Sequence, residues 1–305
     1  MQPIAGRADS VRGLLRLGLV GVGRWGRNYI RTIGVLPGLE LSRVASRNPE
    51  TKSLVPPGCA VAADWCQVIC AAEVDAVIVA TPPASHAEIA LAAIEAGKPV
   101  LVEKPLTLDA GSAERIVLAA QRRSILVMVD HVHLFHPAYR ELKHRAMALG
   151  PVRAVISRAA NRGPYRSDVS VLWDWGPHDV AMCLDLLGAE PETASAETLE
   201  RRPAGDAVAE RLRISLRFPG DVPAEIELST LDERERRFEV RFGSQSLRYE
   251  DPPVQSVAER PLSRAVAEFT QAVIGGTTAL DSVRLGAAVV RTLERCEASL
   301  APKTP

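Results

Sequence analysis

A doubly wound α/β domain followed by an α/β domain with a large, mostly antiparallel open sheet is the fold class that the sequence predicts. Three observations predict it. The first 130 residues alternate short apolar runs with Ala-rich stretches, a glycine-rich turn follows the first run, and beyond about residue 150 the runs lengthen and alternate with polar residues. The predicted domains are residues 1–130 and 131–305, with terminal helices able to pack back on the first domain.

The apolar runs of the first part have the length and β-branched content of parallel strands buried on both faces. The helical stretches between them end at glycine or follow an N-capping residue, as at Gly97 and Asp109. The predicted strands are Leu15–Val20, Leu39–Ala45, Ala76–Ala80, Val100–Val102 and Ile125–Val129, and two of the helices are Glu88–Ala96 and Ala113–Arg122.

The runs of the second part alternate apolar and polar residues, which is typical of antiparallel strands with one solvated face. Gly243-Ser244 is a suitable hairpin turn between two of them, and the charged segment Asp232–Arg237 is predicted to be a solvated surface loop. The predicted strands are Val152–Ala159, Ala207–Phe218, Ala224–Thr230, Phe238–Phe242 and Ser246–Tyr249, followed by helices near Leu262–Ile274 and Ser282–Leu300.

Composition excludes several classes of protein. The chain of 305 residues is 47% hydrophobic, enough for a large core. Its 37 basic and 37 acidic side chains give a net charge of zero, so neither nucleic acid nor a membrane is expected as a partner. The five cysteines form no Cys-x-x-Cys pair, which argues against disulfides and a structural zinc site. We expect core cysteines and no metal.

An apolar run preceded by arginines near the N-terminus superficially resembles an export signal. Four glycines interrupt it, however, and it is shorter than the roughly 20 residues that a membrane span needs. A cytoplasmic protein is therefore expected.

The first strand is followed by Gly-x-Gly-x-x-Gly at Gly21, Gly23 and Gly26, with Arg24 and Trp25 inside the motif. In this position the first glycine permits a tight turn, the second lets a pyrophosphate approach the backbone, and the third lets the helix pack on the strand. The motif predicts a dinucleotide site.

The end of the second strand indicates which dinucleotide binds, because an acid there meets the ribose of NAD and a cation meets the 2′-phosphate of NADP. The sequence has Ser46 and Arg47 there and no carboxylate. NADP is the preferred cofactor and NAD the alternative, while a merely solvated Arg47 remains open.

Two further strand ends reach the same sheet edge, where ligands of open α/β sheets bind. Thr81 and Pro82 follow one strand and are expected to line the dinucleotide, with His86 capping a helix or packing beside the cofactor. Glu103 and Lys104 end the next strand. A desolvated lysine there suits proton exchange with an alcohol, although an ordinary ion pair between these two residues is the alternative.

Asp174 and His178 are four residues apart at the start of an amphipathic stretch. This spacing lets the carboxylate approach the imidazole, fix its tautomer and stabilise the charge gained on taking a proton. The alternative is a helix-capping aspartate beside a packed histidine. Asn161, Arg162 and Trp173 are candidates for the substrate side, with simple solvent exposure as the alternative for Asn161 and Arg162.

These motifs together resemble the glucose–fructose oxidoreductase, inositol dehydrogenase and rhizopine catabolism (Gfo/Idh/MocA) family. The resemblance rests on the glycine motif, Ala80-Thr81-Pro82-Pro83, the segment Gly97–Leu106 with Glu103-Lys104-Pro105, and Asp174-x-Gly176-x-His178. It implies an N-terminal Rossmann domain, pyridine-nucleotide chemistry on a hydroxyl of a sugar, cyclitol or nucleotide sugar, and a homodimer or homotetramer.

The resemblance also implies residue roles. Lys104 would bind or protonate the reacting oxygen, His178 would transfer the proton, and Asp174 would orient His178. Many members of the family have a further Asp three residues after the His, where this sequence has Ala181, which puts the substrate hydrogen bonds in doubt. Two other functions remain open: a non-catalytic regulator that senses dinucleotides, and a glycoside hydrolase assisted by nicotinamide.

Overall fold

The computed structural model describes residues 14–254 and 256–300, which contain two six-stranded sheets. The strands of the first sheet are all parallel. They are β1 (Leu15–Val20), β2 (Leu39–Ala45), β3 (Ala60–Ala62), β4 (Ala76–Val79), β5 (Val100–Glu103) and β6 (Val127–Asp130). Their order is β3-β2-β1-β4-β5-β6, so the direction of winding reverses between β1 and β4. The crevice at such a reversal is where open α/β sheets bind ligands.

Helices cover both faces of the first sheet and bury its strands. Leu19 on β1 and Val77 on β4 are fully buried, and each such side chain contributes about 1.5–3 kcal/mol through burial. The helices up to the second sheet are α1 (Arg24–Ile33), α2 (Cys66–Ile69), α3 (His86–Glu95), α4 (Ala110–Arg123) and α5 (Pro137–Ala146). The doubly wound domain is confirmed.

The second sheet is mostly antiparallel. Its strands are β7 (Ala154–Ala160), β8 (Thr193–Ala204), β9 (Ala207–Phe218), β10 (Val222–Ser229), β11 (Glu235–Phe242) and β12 (Gln245–Tyr249), in the order β12-β11-β7-β10-β9-β8. Only β7 and β10 pair in parallel within it. The mostly antiparallel second sheet is confirmed as well.

Four helices accompany the second sheet: α6 (Val171–Asp174), α7 (Gly176–Leu187), α8 (Pro261–Ile274) and α9 (Asp281–Leu300). The two terminal ones return to the first sheet, where α8 contacts α1 and α9 contacts α4 and β6. The other face of the second sheet carries ion pairs, such as those of Arg158 with Asp232 and Glu235. In the described ranges no helix is long and apolar enough to cross a membrane.

Two local expectations were wrong, and the long strand β8 was not predicted. The segment Asp232–Arg237 is not entirely a loop, because β11 begins at Glu235. Strand β8 was missed because it is a largely exposed edge strand that pairs only with β9. Cys66 and Cys70 are exposed rather than in the core, where Cys183 and Cys296 do lie.

Gly286 tests how closely α9 docks on the first sheet. A Cβ at this position would lie 2.6 Å from Val129 Cγ2 on β6, so Gly286→Ala should lower the free energy of unfolding by about 1–3 kcal/mol through overpacking. Urea denaturation measures this. Gly111→Ala is the control, because its Cβ meets nothing closer than 3.4 Å and alanine favours the helix by about 0.5–1 kcal/mol. Equal stability of the two variants would contradict the close contact.

Candidate active site

The glycine motif forms the turn between β1 and α1. Gly21 has a φ of +96°, and a Cβ there would lie 2.7 Å from the carbonyl oxygen of Ala80. Gly26 packs against the carbonyl oxygen of Gly21 too closely for any side chain. Gly23, in contrast, faces open space and precedes α1 without a side-chain cap. The free N–H groups of the helix N-terminus therefore face an open site that suits an anion.

A cavity of about 1130 Å³ lies in front of this turn. It contains most of the predicted cofactor residues, namely Gly21, Gly23, Arg24, Ser46, Arg47, Thr81 and Pro82. The side chains that line it include four arginines (Arg24, Arg27, Arg31 and Arg47) and one carboxylate, Glu88. The shape, the uncapped helix and this excess of cations fit the diphosphate of a dinucleotide.

Ser46 and Arg47 have different positions in this cavity. The hydroxyl of Ser46 accepts hydrogen bonds from Thr51 Oγ1 at 2.7 Å and from the backbone N–H of Asn48 at 3.2 Å, and so fixes the loop after β2. Arg47 is exposed at the cavity wall and forms no ion pair with any residue in the described ranges. Its guanidinium is therefore available to a ligand.

His86 does not line the cavity, which corrects the expectation that it contacts the cofactor. It is fully buried, with Nδ1 2.8 Å from the carbonyl oxygen of Pro105 and Nε2 2.8 Å from that of Thr81. Burial lowers its pKa, so the ring is neutral and donates one of these two hydrogen bonds. The ring lies between the loop after β4 and the loop after β5, with both carbonyl oxygens in reach of its one N–H group, depending on the tautomer.

A second cavity, of about 590 Å³, adjoins the first, and the two share Gly23, Arg24 and the residues 80–82. Trp25 lines only the second cavity. Glu103 and Lys104 enter it from the end of β5, and Asp174 and His178 enter it from α6 and α7. We call it the reaction cavity. The structure therefore brings the three predicted catalytic residues into one space.

Asp174 holds Lys104 in place. The ammonium Nζ donates to the backbone oxygen of Asp174 at 2.5 Å and to its carboxylate Oδ1 at 3.1 Å. Arg166 Nη1 also donates to that Oδ1, at 3.1 Å. Only 7% of the Lys104 side chain is exposed, so this ion pair is well shielded from solvent.

The expected hydrogen bond between Asp174 and His178 is absent among the described residues. The Asp174 carboxylate is directed to Lys104 and Arg166, and His178 Nδ1 is enclosed without a hydrogen-bond partner in that part of the chain. Asp174 ends the four-residue helix α6 and His178 lies in the separate helix α7, so the i to i+4 geometry of one continuous helix does not apply. Asp174 therefore positions Lys104 rather than His178.

His178 packs against another histidine that the sequence analysis missed. The rings of His133 and His178 meet edge to face, with centroids 4.9 Å apart. Burial, together with the nearby charge of Lys104, holds the pKa of His178 well below its usual value. The imidazole is therefore neutral at neutral pH, and the residue lines the reaction cavity.

Arg236 is a second residue of the reaction cavity that was missed. It lies on the inner face of β11, where Nη1 donates to the buried carboxylate of Asp179 at 2.7 Å. Ser157 donates to the same carboxylate. Extending the alternation of Phe238, Val240 and Phe242 back by two residues would have placed Arg236 on this face, so a signal did exist.

Of the three residues predicted to face the substrate, one lines the reaction cavity and two do not. Asn161 lines the reaction cavity, and its side-chain amide donates to the carbonyl oxygen of Gly163 at 2.6 Å. Arg162 and Trp173 do not line it, which corrects both expectations. Arg162 is exposed and pairs with Glu233, while Trp173 is buried and donates to Glu297. The neighbouring Trp175 lines the cavity instead.

Two buried carboxyl groups lie behind Lys104. Glu103 and Asp130 are paired across β5 and β6, and the hydroxyl of Tyr29 donates to Asp130 Oδ2 at 2.5 Å. Burial, the largest cause, raises the pKa of Glu103 to about 8 and that of Asp130 to about 6. Glu103 is therefore largely protonated at neutral pH.

No group of three or more His, Cys, Asp or Glu with metal-binding geometry occurs in the described ranges.

The comparisons with known proteins agree with this geometry. Residues 15–131 match the model of an oxidoreductase family with an NAD-binding Rossmann fold, and residues 143–248 match the model of the GFO/IDH/MocA C-terminal domain. The fold and the glycine turn thus define a scaffold of the NAD-binding Rossmann oxidoreductase class. The chain belongs to the Gfo/Idh/MocA family, which confirms the resemblance.

Two curated relatives are similar over part of their length. Inositol 2-dehydrogenase 2 of Saccharopolyspora erythraea is 35% identical over 200 residues, covering 61% of this chain and 58% of the relative. UDP-N-acetylglucosamine 3-dehydrogenase of Acidithiobacillus ferrooxidans is 32% identical over 177 residues, covering 58% of this chain and 56% of the relative. The chain thus spans less than three fifths of the length of these relatives.

One solved structure is similar along its whole length. It is a protein of Magnetospirillum magnetotacticum MS-1, provisionally classed as an oxidoreductase, with 44% sequence identity and a TM-score of 0.87. The match covers 93% of this chain and 100% of that protein.

The buried carboxyl groups predict how stability depends on pH. A folded-state pKa of about 8 means that folded Glu103 keeps a proton that the unfolded chain releases above about pH 4.5, so this group lowers stability as the pH rises from 4.5 through 8. Glu103→Gln should therefore lose less unfolding free energy than the wild type between pH 5 and pH 8.5. Urea titrations at several pH values measure the difference.

The exposed Glu95, whose carboxylate pairs with Arg123, provides the control variant Glu95→Gln. The unfolding free energy of Glu95→Gln should depend on pH between 5 and 8.5 as that of the wild type does. The same pH dependence in Glu103→Gln and wild type would contradict a protonated Glu103.

Proposed function

We propose that the protein is an NAD(P)-dependent oxidoreductase that transfers a hydride between nicotinamide and a secondary alcohol or ketone of a sugar, cyclitol or nucleotide sugar. One observation carries the proposal: Lys104 from the first sheet and His178 from α7 face one cavity, which adjoins the cavity at the glycine turn. The family membership and the named activities of the two curated relatives support it.

The binding residues fit a dinucleotide whose diphosphate lies at Gly23 and the N-terminus of α1. Thr81 and Pro82 border both cavities, so they would flank the nicotinamide end. When bound, the nicotinamide ring accepts or supplies the hydride.

His178 is suited to accept the proton of the substrate hydroxyl. Its lowered pKa keeps the ring in the neutral form, in which one ring nitrogen has a free lone pair that can accept a proton. In the reverse direction the protonated ring returns the proton to the carbonyl oxygen. Its enclosed Nδ1 and the packing of His133 limit rotation of the ring.

Lys104 is suited to stabilise charge on the reacting oxygen. Its ammonium has three N–H donors, and Asp174 accepts at two acceptor atoms, which leaves donor capacity for a ligand in the cavity. A cation held in a shielded cavity stabilises a developing alkoxide more strongly than one in water. The carboxylate of Asp174 keeps this cation in place.

The cofactor choice that we propose is NADP over NAD. The cavity at the glycine turn has four arginines and a single carboxylate in its wall, and Arg47 is unpaired among the described residues. A guanidinium at this strand end can bind a 2′-phosphate through two N–H groups. The proposed setting is cytoplasmic and the proposed assembly a homodimer or homotetramer.

Removing either reactive side chain tests the catalytic roles. Lys104→Met and His178→Asn should each lower kcat by about 10²–10⁴-fold, because proton transfer or oxyanion stabilisation is lost, while NADPH affinity is nearly kept. Steady-state kinetics and NADPH fluorescence titrations measure the two effects. The exposed Lys52→Met and His144→Asn are matched controls.

Equal losses of kcat and of cofactor affinity would contradict the assigned roles. A wild type that binds NADPH but turns over none of a panel of sugars, inositols and nucleotide sugars would point to a dinucleotide-sensing regulator instead.

Arg47 tests the cofactor preference. Arg47→Ala should weaken NADPH binding about tenfold or more, since hydrogen bonds to a charged group contribute about 1.5–3 kcal/mol, and should change NADH binding by less than about twofold. Parallel titrations with both dinucleotides measure this. Lys52→Ala removes a nearby positive charge outside the cavity and should leave the preference intact. An unchanged preference in Arg47→Ala would exclude Arg47 from the site.

A further inference from the structure

A third cavity, of about 330 Å³, lies next to the reaction cavity. The two share Pro164, Arg166, Asp174 and Trp175, so they adjoin at these four residues. The loop 163–170 and the turn between β8 and β9 form its other walls. We call it the side cavity. A substrate that reacts beside Lys104 is therefore next to a second space.

The lining of the side cavity suits a sugar ring. Tyr165, which is 39% exposed, offers an aromatic surface, and aromatic side chains provide large, rigid contact area for ligands. The hydroxyls of Ser167 and Ser170 and the carboxylate of Asp206 form no side-chain hydrogen bond with any described residue. Hydroxyl donors and acceptors together with one aromatic face are complementary to a polyhydroxylated ring.

Charge and size argue against a nucleotide in the side cavity. Its wall has four carboxylates, Asp168, Asp174, Asp206 and Glu210, against two guanidiniums, Arg166 and Arg201. Both guanidiniums are already paired with carboxylates of this wall. An excess of negative charge repels phosphate groups. The volume also lies near the lower end of the range of about 300–1,000 Å³ for small-molecule sites.

We infer that the substrate consists of two sugar-like rings: one reacts beside Lys104 and His178, and a second, phosphate-free ring binds in the side cavity. The inference rests on the proposed function and narrows its substrate class to glycosides of two rings. The second ring contacts Tyr165 and the free hydroxyls of Ser167 and Ser170, and its binding energy orients the first ring over the reacting groups.

Matched substrate sets test the inference. Each set shares one reacting ring and presents it as a methyl glycoside, a disaccharide or a UDP-sugar, for example methyl glucoside, maltose and UDP-glucose, with a second set built on galactose. Initial rates with NADP and NAD give kcat/KM for each compound. The disaccharide of at least one set should exceed the corresponding methyl glycoside by about tenfold or more.

Val208→Trp fills the side cavity from the β8–β9 turn. Val208 is 42% exposed in the cavity wall, and the larger side chain should lower the ratio of disaccharide to methyl-glycoside kcat/KM by about tenfold or more. Val257→Trp, at a position 40% exposed outside the cavity, is the matched control and should keep the ratio. Tyr165→Ala provides a second variant without added bulk and should also lower the ratio. Thermal unfolding confirms that each variant is folded.

The outcomes separate the inference from the proposed function. Turnover of methyl glycosides as efficient as that of disaccharides, with a ratio unaffected by Val208→Trp and Tyr165→Ala, would overturn the inference and leave the oxidoreductase assignment intact. A preference for UDP-sugars would overturn the phosphate-free second ring. Oxidation of none of these compounds, nor of free sugars and inositols, would overturn the proposed function as well.

Discussion

The contact between Lys104 and Asp174 is the interaction on which the geometry of the site depends. It joins the end of β5 in the first sheet to α6 beside the second sheet, across 70 residues of sequence. An ammonium with so little exposure is costly unless it is paired, and Asp174 satisfies it with both its backbone oxygen and its carboxylate. The same contact therefore stabilises the charge and links the end of β5 to α6 at the reaction cavity.

Burial is the largest influence on the protonation states around this cation. Its positive charge and burial both keep His178 neutral, whereas burial outweighs its attraction for the proton-free form of Glu103. The cavity thus combines a charged lysine, a neutral imidazole and a largely protonated carboxyl group. In these states Lys104 can stabilise an oxyanion and His178 can accept a proton. The protonated Glu103 adds no competing negative charge.

Much of the first half was predictable because its signals are local. Buried parallel strands form apolar runs, and Gly21 and Gly26 are required by the backbone, since Gly21 has a positive φ and Gly26 lies against the carbonyl oxygen of Gly21. The carboxyl ends of parallel strands meet at one edge of the sheet, so the sequence alone predicts that Thr81 and Lys104 lie at the same edge. The predicted role of Asp174 failed because Asp174 and His178 lie in separate helices, and its carboxylate pairs with Lys104 and Arg166 instead.

The second half was harder because its functional side chains come from segments that look solvated. Arg236 lies in a charged run, yet strand alternation turns it inward, where Asp179 compensates its charge. His133 belongs to a short 3₁₀ helix with no motif around it. The sequence pattern does not indicate which charged side chains a neighbouring element will bury, because tertiary packing decides their burial.

This difference has a consequence for specificity. The groups assigned to proton and charge chemistry are on buried strand and helix ends, where packing and ion pairs fix them. The walls of the side cavity come instead from a loop and a hairpin turn, which can change in sequence without disturbing either sheet. Substrate selection in this scaffold can therefore vary while the Lys104 and His178 geometry stays constant, as expected where recognition and chemistry are carried by separate elements.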